Sequence, residues 1–296
     1  MKQVGVLIVT YNRLNLLQEE IDSIRNQTFR DFDIIVVNNC SVDNTKEWLD
    51  AQDDIYAINI EPENIGPARA FAQGMKYIAE AGYMYCWLMD DDVECKPTAL
   101  AELYEAYRLN SDMGFACSKV IGIDGFPMNV PNIDTRLSEN GYSNYGDMLE
   151  YGMLRVIDCT FVSMFIPTDV ICKVGLPLKE FYNWGVDTEY SMRISKHHPC
   201  YSVNKSIVIH KRTIQKALTF EQEKDPVRIG YYRDRFRNMI YIYSVYEKNI
   251  FKKYMMAYLK STIKCFLSLR IPLFVTKVKA LKDFYRLDVR IDYPQK

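Results

Sequence analysis

The chain has 296 residues, enough for one large domain or for one domain with a smaller appendage. Its composition, 48% hydrophobic and 25% charged, excludes an intrinsically disordered chain. The net charge of −1 conceals an asymmetry, because residues 231–296 carry +10, from 15 basic and 5 acidic residues, and the remainder carries −11. An acidic body with a basic C-terminal region suggests two separate roles.

Cysteine usage and the N-terminus indicate a compartment. The eight cysteines include no CxxC pair and show no regular spacing, which predicts reduced thiols in the core of a cytoplasmic protein. Met1 opens almost directly onto an apolar strand, so no signal peptide is expected.

Strands and helices alternate through the first half of the chain. The pattern predicts strands over 4–10, 32–39, 55–60 and 83–89, and helices over 14–26, 43–51, 67–81 and 97–109. Asp43 is the expected N-cap of the second helix. Such alternation is typical of βαβ units and predicts an α/β fold with a mainly parallel sheet.

The second half is less regular. Residues 121–154 are rich in Gly, Pro, Asn and Asp, which predicts a long mobile loop region. Order resumes over 156–167, with a helix near 168–173 and a strand over 201–210.

The basic C-terminal region predicts an amphipathic helix over 253–269. On a helical wheel, one face carries Met255, Tyr258, Leu259, Ile263, Phe266 and Leu269, and the other carries Lys253, Lys260 and Lys264. The apolar face can pack on the body or rest on anionic lipid, and the two interpretations are compatible. No uncharged run approaches the ~18 residues that a membrane-spanning helix needs.

Polar clusters stand where three of the predicted strands end, at 10–13, 38–41 and 90–92. Ligands of parallel sheets bind at the carboxyl ends of the strands. At the last of these ends, Asp90 and Asp92 should point to one side and Asp91 to the other. Two converging carboxylates make a hard-oxygen site for Mg²⁺ or Mn²⁺, completed by substrate phosphates. A solvated acidic turn is the alternative interpretation.

Three features of the second half can belong to a site or to the scaffold. Asp187 and Glu189 can be active-site acids, or acids favoured by the dipole at the start of a helix. Trp184 beside them is an aromatic platform suited to the face of a sugar ring. His210 ends an apolar strand, where a histidine can be structural or can bind a metal ion.

Taken in order and spacing, these segments resemble the inverting glycosyltransferases of family 2, which have the GT-A fold. The resemblance covers roughly residues 1–210 and rests on VTYNR (9–13), VNNCSVDNT (37–45), NIGPARAF (64–71), MDDD (89–92), WGVDTEY (184–190) and His210. Within the family, the sequence looks most like bacterial galactofuranosyl- and rhamnosyltransferases. The resemblance implies a Rossmann-like GT-A domain over 1–210 and a basic, mostly helical extension over 211–296.

The resemblance also implies roles for individual residues. Asp92 and His210 would hold Mn²⁺ or Mg²⁺, Asp187 would be the catalytic base, and Trp184 and Glu189 would bind the acceptor. Asn39 stands where the family has an aspartate, and its amide would hydrogen-bond the base of the donor. The full set implied to bind the donor is Thr10, Tyr11, Arg13, Asn39, Arg69, Asp90 and Asp91.

The implied reaction is an inverting, metal-dependent sugar transfer in bacterial surface polysaccharide synthesis. Galactofuranose or rhamnose would move from a UDP- or dTDP-linked donor to a hydroxyl of a glycan or polyprenyl-linked glycan. The expected location is cytoplasmic, peripheral on anionic lipid at the inner face of the plasma membrane, and no nucleic-acid partner is expected.

Two other functions remain as alternatives. A sugar-phosphate nucleotidyltransferase would carry a Gly-rich, Lys/Arg-bearing signature near the first strand, and VTYNRLN lacks it. A non-catalytic carbohydrate- or lipid-binding module would not need Asp187, Asp92 and His210 together.

Overall fold

The structure is a computed structural model that describes residues 2–212, 220, 223 and 226–295. Its first half alternates strands and helices as predicted. The elements are β1 (Val4–Thr10), α1 (Leu14–Arg25), β2 (Phe32–Asn38), α2 (Thr45–Asp50), β3 (Ile55–Asn59), α3 (Pro67–Glu80) and β4 (Tyr85–Asp90). The β1 segment VGVLIVT is buried at every position, as expected of a strand that is covered on both faces.

The second half adds five further strands and three helices over residues 93–210, which the structure describes in full. The elements are β5 (Val93–Cys95), α4 (Ala99–Leu109), β6 (Phe115–Gly122), β7 (Met153–Arg155), β8 (Met164–Pro167), α5 (Thr168–Val174), α6 (Val186–Ser195) and β9 (Cys200–His210). Two 3₁₀ turns lie at Leu149–Tyr151 and Lys179–Phe181.

The strands form one sheet in the order β3-β2-β1-β4-β8-β6-β9-β5, and β7 pairs with β9. The pairs β1–β2, β1–β4, β2–β3 and β6–β9 are parallel, whereas β8 runs antiparallel to β4 and β6. Although β5 follows β4 directly in the chain, it lies at the far end of the sheet, antiparallel to β9. The predicted mainly parallel α/β fold is therefore confirmed, with antiparallel strands added on one side.

Alternate residues of the central strands enter two cores, one on each face of the sheet. Leu7 and Leu88 face a core that includes residues of α3, α5 and α6, and Ile8 faces a core that includes residues of α1 and α4. Helix α3 lies close to the sheet because Gly74 has no side chain. A Cβ at that position would stand 2.2 Å from Leu7 Cδ1, so α3 could not keep its place with a larger residue there.

Two local predictions are corrected by the structure. The residue that precedes α2 is Asn44, and Asp43 acts one position earlier, where its carboxylate accepts hydrogen bonds from the Thr45 and Leu14 N–H groups. Residues 121–154 include the end of β6, a 3₁₀ turn and β7, as well as three isolated β-bridges. This segment is also tied down by the buried Asp134, which accepts hydrogen bonds from Arg136 and Arg155.

The C-terminal region contains α7 (Pro226–Val245), α8 (Lys248–Leu267) and α9 (Ile271–Phe284). Most of the amphipathic helix predicted over 253–269 lies in α8, but of its predicted apolar face only Tyr258 is fully buried. The buried residues of α8 are Tyr258, Thr262 and Cys265, while Leu259, Ile263, Phe266 and the following Leu269 are exposed. Among the described residues, no helix has both the length and the apolar character needed to cross a bilayer. The division at residue 210 remains a prediction, and residues 213–219 of the predicted extension lie outside the described part.

Candidate active site

The ends of β1, β2 and β4 bring the three polar clusters to one edge of the sheet. In the parallel registers, Thr10 is paired with Asn38, and Val9 with Asp90. The grouping expected from the sequence is therefore what the structure shows. The N-terminus of α3 lies at the same edge, because this helix follows β3. A helix N-terminus favours phosphate groups, so the edge suits an anionic ligand.

Asp91 is the internal anchor of this edge. Its buried carboxylate accepts hydrogen bonds from Thr10 Oγ1 at 2.8 Å, from the Tyr11 N–H at 3.2 Å and from Arg13 Nη1 at 3.0 Å. Both carboxylate oxygens are therefore engaged by donors from the β1 end. This geometry makes Asp91 a residue that holds the end of β1 and Arg13 in place, and it does not favour the direct donor contact that the resemblance implied.

Asp90, Asp92 and His210 form a second group, the candidate metal site. One ligand atom from each residue lies within 4.8 Å of the others. His210 Nε2 is 3.0 Å from Asp92 Oδ1, and His210 Nδ1 is 2.9 Å from Asn129 Oδ1. A histidine that binds a metal ion commonly has its other ring nitrogen held in this way. The structure thus groups Asp92 with His210, as the resemblance implied, and with Asp90, as the alternation of side chains at the strand end predicted.

The residues of this group fit a divalent cation. Asp92 Oδ1 is buried and receives no well-directed hydrogen bond from the described residues, although His210 Nε2 is close by. Burial and the negative charge of Asp92 raise the pKa of Asp90, so a cation would relieve the repulsion between these carboxylates. Two carboxylates and an imidazole are ligands that Mn²⁺ accepts, and the oxygens also suit Mg²⁺.

Arg13 supplies positive charge beside the same group. Its Nη1 atom lies 3.0 Å from both Asp91 Oδ1 and Asp92 Oδ2, and half of its side chain is exposed. Burial alone would raise the pKa of Asp92, but the neighbouring His210 imidazole and Arg13 guanidinium hold it below its usual value. Arg13 can therefore partly neutralise the acidic edge and still reach a ligand from its exposed side.

Asn39 and Arg69 occupy different environments. Asn39 is buried, and its amide binds the segment before α3, donating to Asn64 Oδ1 and accepting from the Ile65 N–H, each at 3.0 Å. A contact between Asn39 and a nucleotide base is therefore less favoured than the sequence suggested. Arg69 is exposed on the first turn of α3, where a guanidinium can reach a diphosphate.

Asp187 and Glu189 both lie in the first turn of α6 but differ in their surroundings. Asp187 is half-buried, and its carboxylate accepts a hydrogen bond from the Thr188 N–H at 2.8 Å. Burial, with a further contribution from the charge of Asp158, raises its pKa. The charge of Asp187 also raises the pKa of Asp90, so the two carboxylates are close enough to interact. A raised pKa suits a group that takes up a proton.

The environment of Glu189 corrects the acceptor-binding role expected for it. Only 1% of the residue is exposed, and its carboxylate accepts hydrogen bonds from Arg193 Nη2 at 2.9 Å and from Tyr246 OH at 2.6 Å. Arg193 is itself held by the carbonyl groups of Val174 and Leu176. Glu189 therefore connects α6 to the turn that follows α7 inside the protein, with both carboxylate oxygens engaged.

Much of the chain that forms this site matches a known protein family in sequence. Residues 5–165 match the family model described as glycosyl transferase family 2, and this is more than half of the chain. The chain belongs to glycosyl transferase family 2. The membership confirms the enzyme class expected from the sequence and disfavours the nucleotidyltransferase and the non-catalytic binding module. The matched segment contains Asp90, Asp91 and Asp92, whereas Asp187 and His210 lie beyond it.

Individual family members resemble parts of the chain. It is 31% identical to an abequosyltransferase of Salmonella typhimurium over 127 residues, which are 41% of this chain and 37% of the relative. It is 24% identical to the galactofuranosyltransferase GlfT1 of Mycolicibacterium smegmatis over 200 residues, 64% of this chain and 65% of the relative. The chain thus spans between about a third and two thirds of the length of these two relatives.

A solved structure supports the fold assignment. The crystal structure of GalNAc-T7 with UDP, GalNAc and Mn²⁺ matches with a TM-score of 0.58 at 14% identity. The match covers 80% of this chain and 51% of that one. The GT-A fold expected for this family 2 member is thereby confirmed.

The loop before α6 shows residues that sequence reasoning missed. Tyr182 has φ 56° and ψ −63°, and the Asn183 N–H donates to the Phe181 carbonyl at 2.6 Å, which together define a strained γ-turn. The Tyr182 carbonyl accepts a hydrogen bond from the Ala68 N–H in the first turn of α3. The loop that leads to Asp187 is therefore joined to the helix that carries Arg69.

Two residues of α7 hold this loop. Asn238 is buried and donates to the carbonyl groups of Phe181 at 3.0 Å and Trp184 at 2.8 Å, and Arg237 donates to the Glu180 carbonyl at 2.8 Å. Nothing in the segment RFRNM distinguishes these two side chains from ordinary helix residues, so the sequence does not indicate that they hold the loop before α6 in place.

Trp184 packs against α7 as well. Its ring contacts Tyr231 and Tyr232 edge to face, with centroids 6.0 and 5.1 Å apart, and the Arg228 and Arg235 guanidinium groups lie over it. The ring remains partly exposed, and its role as an acceptor platform stays a prediction.

Proposed function

We propose that this family 2 protein transfers a sugar, with inversion, from a nucleotide-diphosphate donor to a hydroxyl group of a glycan. The observation that carries the proposal is the grouping of Asp90, Asp92 and His210 at the sheet edge, with Asp187 within electrostatic reach of Asp90. Neither structural stability nor the binding of a neutral glycan calls for this concentration of acids beside a histidine.

Asp90, Asp92 and His210 would hold Mn²⁺ or Mg²⁺ in this reaction. When bound, the cation supplies positive charge that stabilises the nucleoside diphosphate leaving group. Arg13 and Arg69 would bind the diphosphate from the protein side, with the N-terminus of α3 adding partial positive charge. Thr10, Tyr11, Asp91 and Asn39 would shape the nucleotide pocket, Asp91 and Asn39 through the internal hydrogen bonds described above.

Asp187 would act as the base. Its carboxylate takes the proton of the acceptor hydroxyl while that oxygen bonds to the anomeric carbon, and the bond between this carbon and the diphosphate oxygen breaks with its electron pair. Attack from the side opposite the leaving group inverts the configuration. Trp184 would support the acceptor ring by stacking.

The proposed donor is a UDP- or dTDP-linked sugar, with galactofuranose favoured over rhamnose. The similarity to the galactofuranosyltransferase, which extends over 64% of the chain, supports the first choice. The proposed acceptor is a glycan or polyprenyl-linked glycan of a bacterial surface polysaccharide. A lipid-linked acceptor would require the protein to work peripherally at the inner face of the membrane.

The decisive experiment measures nucleoside diphosphate release and product mass with purified protein and a panel of UDP- and dTDP-sugars. We expect turnover to disappear with EDTA and to return with Mn²⁺ or Mg²⁺, and Asp92→Ala to abolish it while the circular dichroism spectrum is kept. Asp53→Ala is the matched control, because it removes an exposed aspartate at the amino end of β3, whereas the site lies at the carboxyl ends of the strands. Full turnover in the presence of chelator would contradict the proposed requirement for a cation. If no donor in the panel yielded free nucleoside diphosphate, the proposed reaction would be wrong.

A further inference from the structure

Helix α8 presents an unusual surface to solvent. Leu259, Ile263 and Phe266 follow one another at i, i+4 and i+7 and are all exposed, one position on from the buried row Tyr258, Thr262 and Cys265. One position corresponds to a rotation of about 100° around the helix, so the exposed row stands beside the packed face. A soluble surface has little reason to concentrate large apolar side chains in a row, and such rows mark interaction sites.

The end of α8 extends this row. Leu267 is 74% exposed and Leu269 is 82% exposed. The helix ends in a hydrogen-bonded cap in which the Arg270 N–H donates to the Cys265 carbonyl and the Leu269 N–H to the Phe266 carbonyl. In such a cap the residue at the position of Leu269 is left-handed and is usually glycine. Leu269 takes this conformation with φ 55°.

Leu269 is therefore unfavourable twice in water. The left-handed conformation costs a branched side chain more than glycine, and the isobutyl group gains nothing from exposure. Both costs are explained if the side chain meets an apolar environment that lies outside the chain.

The charges along this part of the chain are all positive. Residues 248–282 include nine lysines and arginines and no acidic residue. Lys277 turns inward over the rings of Phe236 and Tyr258, but Lys253, Lys260 and Lys264 are exposed. Lys260 and Lys264 flank a shallow groove of about 380 Å³ that Ile263, Leu267 and Ser268 complete. An apolar row bordered by cations matches the boundary between anionic headgroups and acyl chains.

We propose that this surface docks on an anionic bilayer with Leu269 inserted at its tip. The docking surface is defined as Leu259, Ile263, Phe266, Leu267 and Leu269 with Lys253, Lys260 and Lys264. A second copy of the chain fits it less well, because a two-fold contact would bring the same positive surfaces together. The inference comes from α8 and its C-terminal turn alone, and only its use, to bring the active site to a lipid-linked acceptor, rests on the proposed function.

The test measures co-sedimentation of the full chain with phosphatidylcholine vesicles that contain no, or a quarter, phosphatidylglycerol, at low and high salt. The wild type should bind the anionic vesicles at low salt, and salt should weaken the binding because it screens the lysines. Leu269→Gly should lower vesicle affinity on the order of 10-fold, the effect of losing one buried leucine side chain. The same substitution should leave the thermal midpoint unchanged or raise it, because glycine relieves the left-handed turn.

Charge variants separate the headgroup contribution from general electrostatics. Changing Lys253, Lys260 and Lys264 together to Glu should lower affinity on the order of 100-fold or more, at about 1 kcal/mol per basic residue. The control changes Lys119, Lys196 and Lys205, which are exposed on the body, to Glu. This control carries the same charge change and should bind much more tightly than the first triple variant.

Three outcomes would overturn the proposal. The wild type could fail to bind anionic vesicles, or Leu269→Gly could bind as the wild type does, or the body triple could be as weak as the α8 triple. Dimerisation that Leu269→Gly abolishes, without vesicle binding, would assign the surface to a second copy. Because these measurements use no sugar donor, they stay informative if the proposed reaction is wrong, and transfer to a short soluble acceptor should survive in all these variants if it is right.

Discussion

The pair Asp187 and Glu189 gives the sharpest test of the site, because the two acids lie in one helical turn but in different surroundings, and we propose different roles for them. Asp187→Asn keeps the size of the side chain and its hydrogen-bonding capacity but cannot accept a proton. We expect turnover to fall by about 10²–10⁴-fold, the range for loss of a general base, with donor affinity little changed. Stability should not fall, because the raised pKa of Asp187 means that its ionised form is disfavoured in the folded protein.

Glu189→Ala should do the reverse. Removing one partner of a buried ion pair costs about 3–5 kcal/mol, since the other charge is left uncompensated. Arg193 would keep its two carbonyl partners, Val174 and Leu176, which places the expected loss of unfolding free energy near the lower end, about 3 kcal/mol. Tyr246 would lose the acceptor of its hydroxyl group as well. Turnover per folded molecule should remain within about 10-fold of the wild type, well short of the loss expected for a missing base.

The measurements are urea unfolding followed by tryptophan fluorescence, and steady-state kinetics at a temperature where each variant is folded. Asp169→Asn is the matched control for Asp187→Asn, because Asp169 is also an acid in the first turn of a helix but is well exposed. It should change neither quantity. The reasoning is refuted if Glu189→Gln abolishes turnover without loss of stability while Asp187→Asn remains active.

Two further predictions concern residues that the sequence did not single out. Asn238→Ala should lower the free energy of unfolding by about 1–3 kcal/mol, because two loop carbonyl groups lose their donor, and should lower kcat. Asn238→Asp should have a larger effect, because it turns carboxylate oxygens toward those carbonyl groups. Equal kinetics for both variants and the wild type would contradict the proposal that Asn238 holds the loop before α6 in place. Glu20 is buried, its oxygens have no hydrogen-bond partner among the described residues, and burial, followed by the charges of Asp91, Asp92 and Asp90, raises its pKa well above the usual value. The wild type therefore loses stability as pH rises from the ordinary glutamate pKa toward the raised one. Glu20→Gln should consequently be more stable than the wild type at pH 8 and should gain little stability at pH 4.5. A gain of equal size at both pH values, measured by urea unfolding, would rule out this explanation.

The sequence was most informative where hydrophobic periodicity and chain order decide the structure. The alternation of elements up to β4 was predicted because each strand is an apolar run and each helix has apolar residues at helical spacing. The convergence of Thr10, Asn38 and Asp90 followed because parallel strands share one edge. The strands β5, β6 and β7 were not predicted, since their pairing depends on residues far away in the chain.

Prediction failed where a side chain has more than one potential partner. Periodicity located the helix α8 but could not show which of two adjacent rows has a packing partner, and the row of Tyr258 took that place. Glu189 and Asn39 carry the residue types of a binding site, yet both bind within the protein. Asn129 and Asn238 support the site from a loop and from α7, and neither position has a local pattern that announces it.

The register of β5 on β9 determines when, during synthesis, the chain can assemble the candidate metal site. Val93 is paired with His210, and the Lys211 N–H donates to the Asp92 carbonyl, so the ladder itself sets the imidazole beside the carboxylates. A slip of one residue would turn His210 to the other face of the sheet. During synthesis, β5 emerges immediately after β4 but has no place beside it and must wait for β9, and β6 gains its second neighbour only when β9 follows β8. The emerging chain therefore exposes unpaired strand edges for most of its synthesis and should need protection from aggregation until residue 210 has left the ribosome.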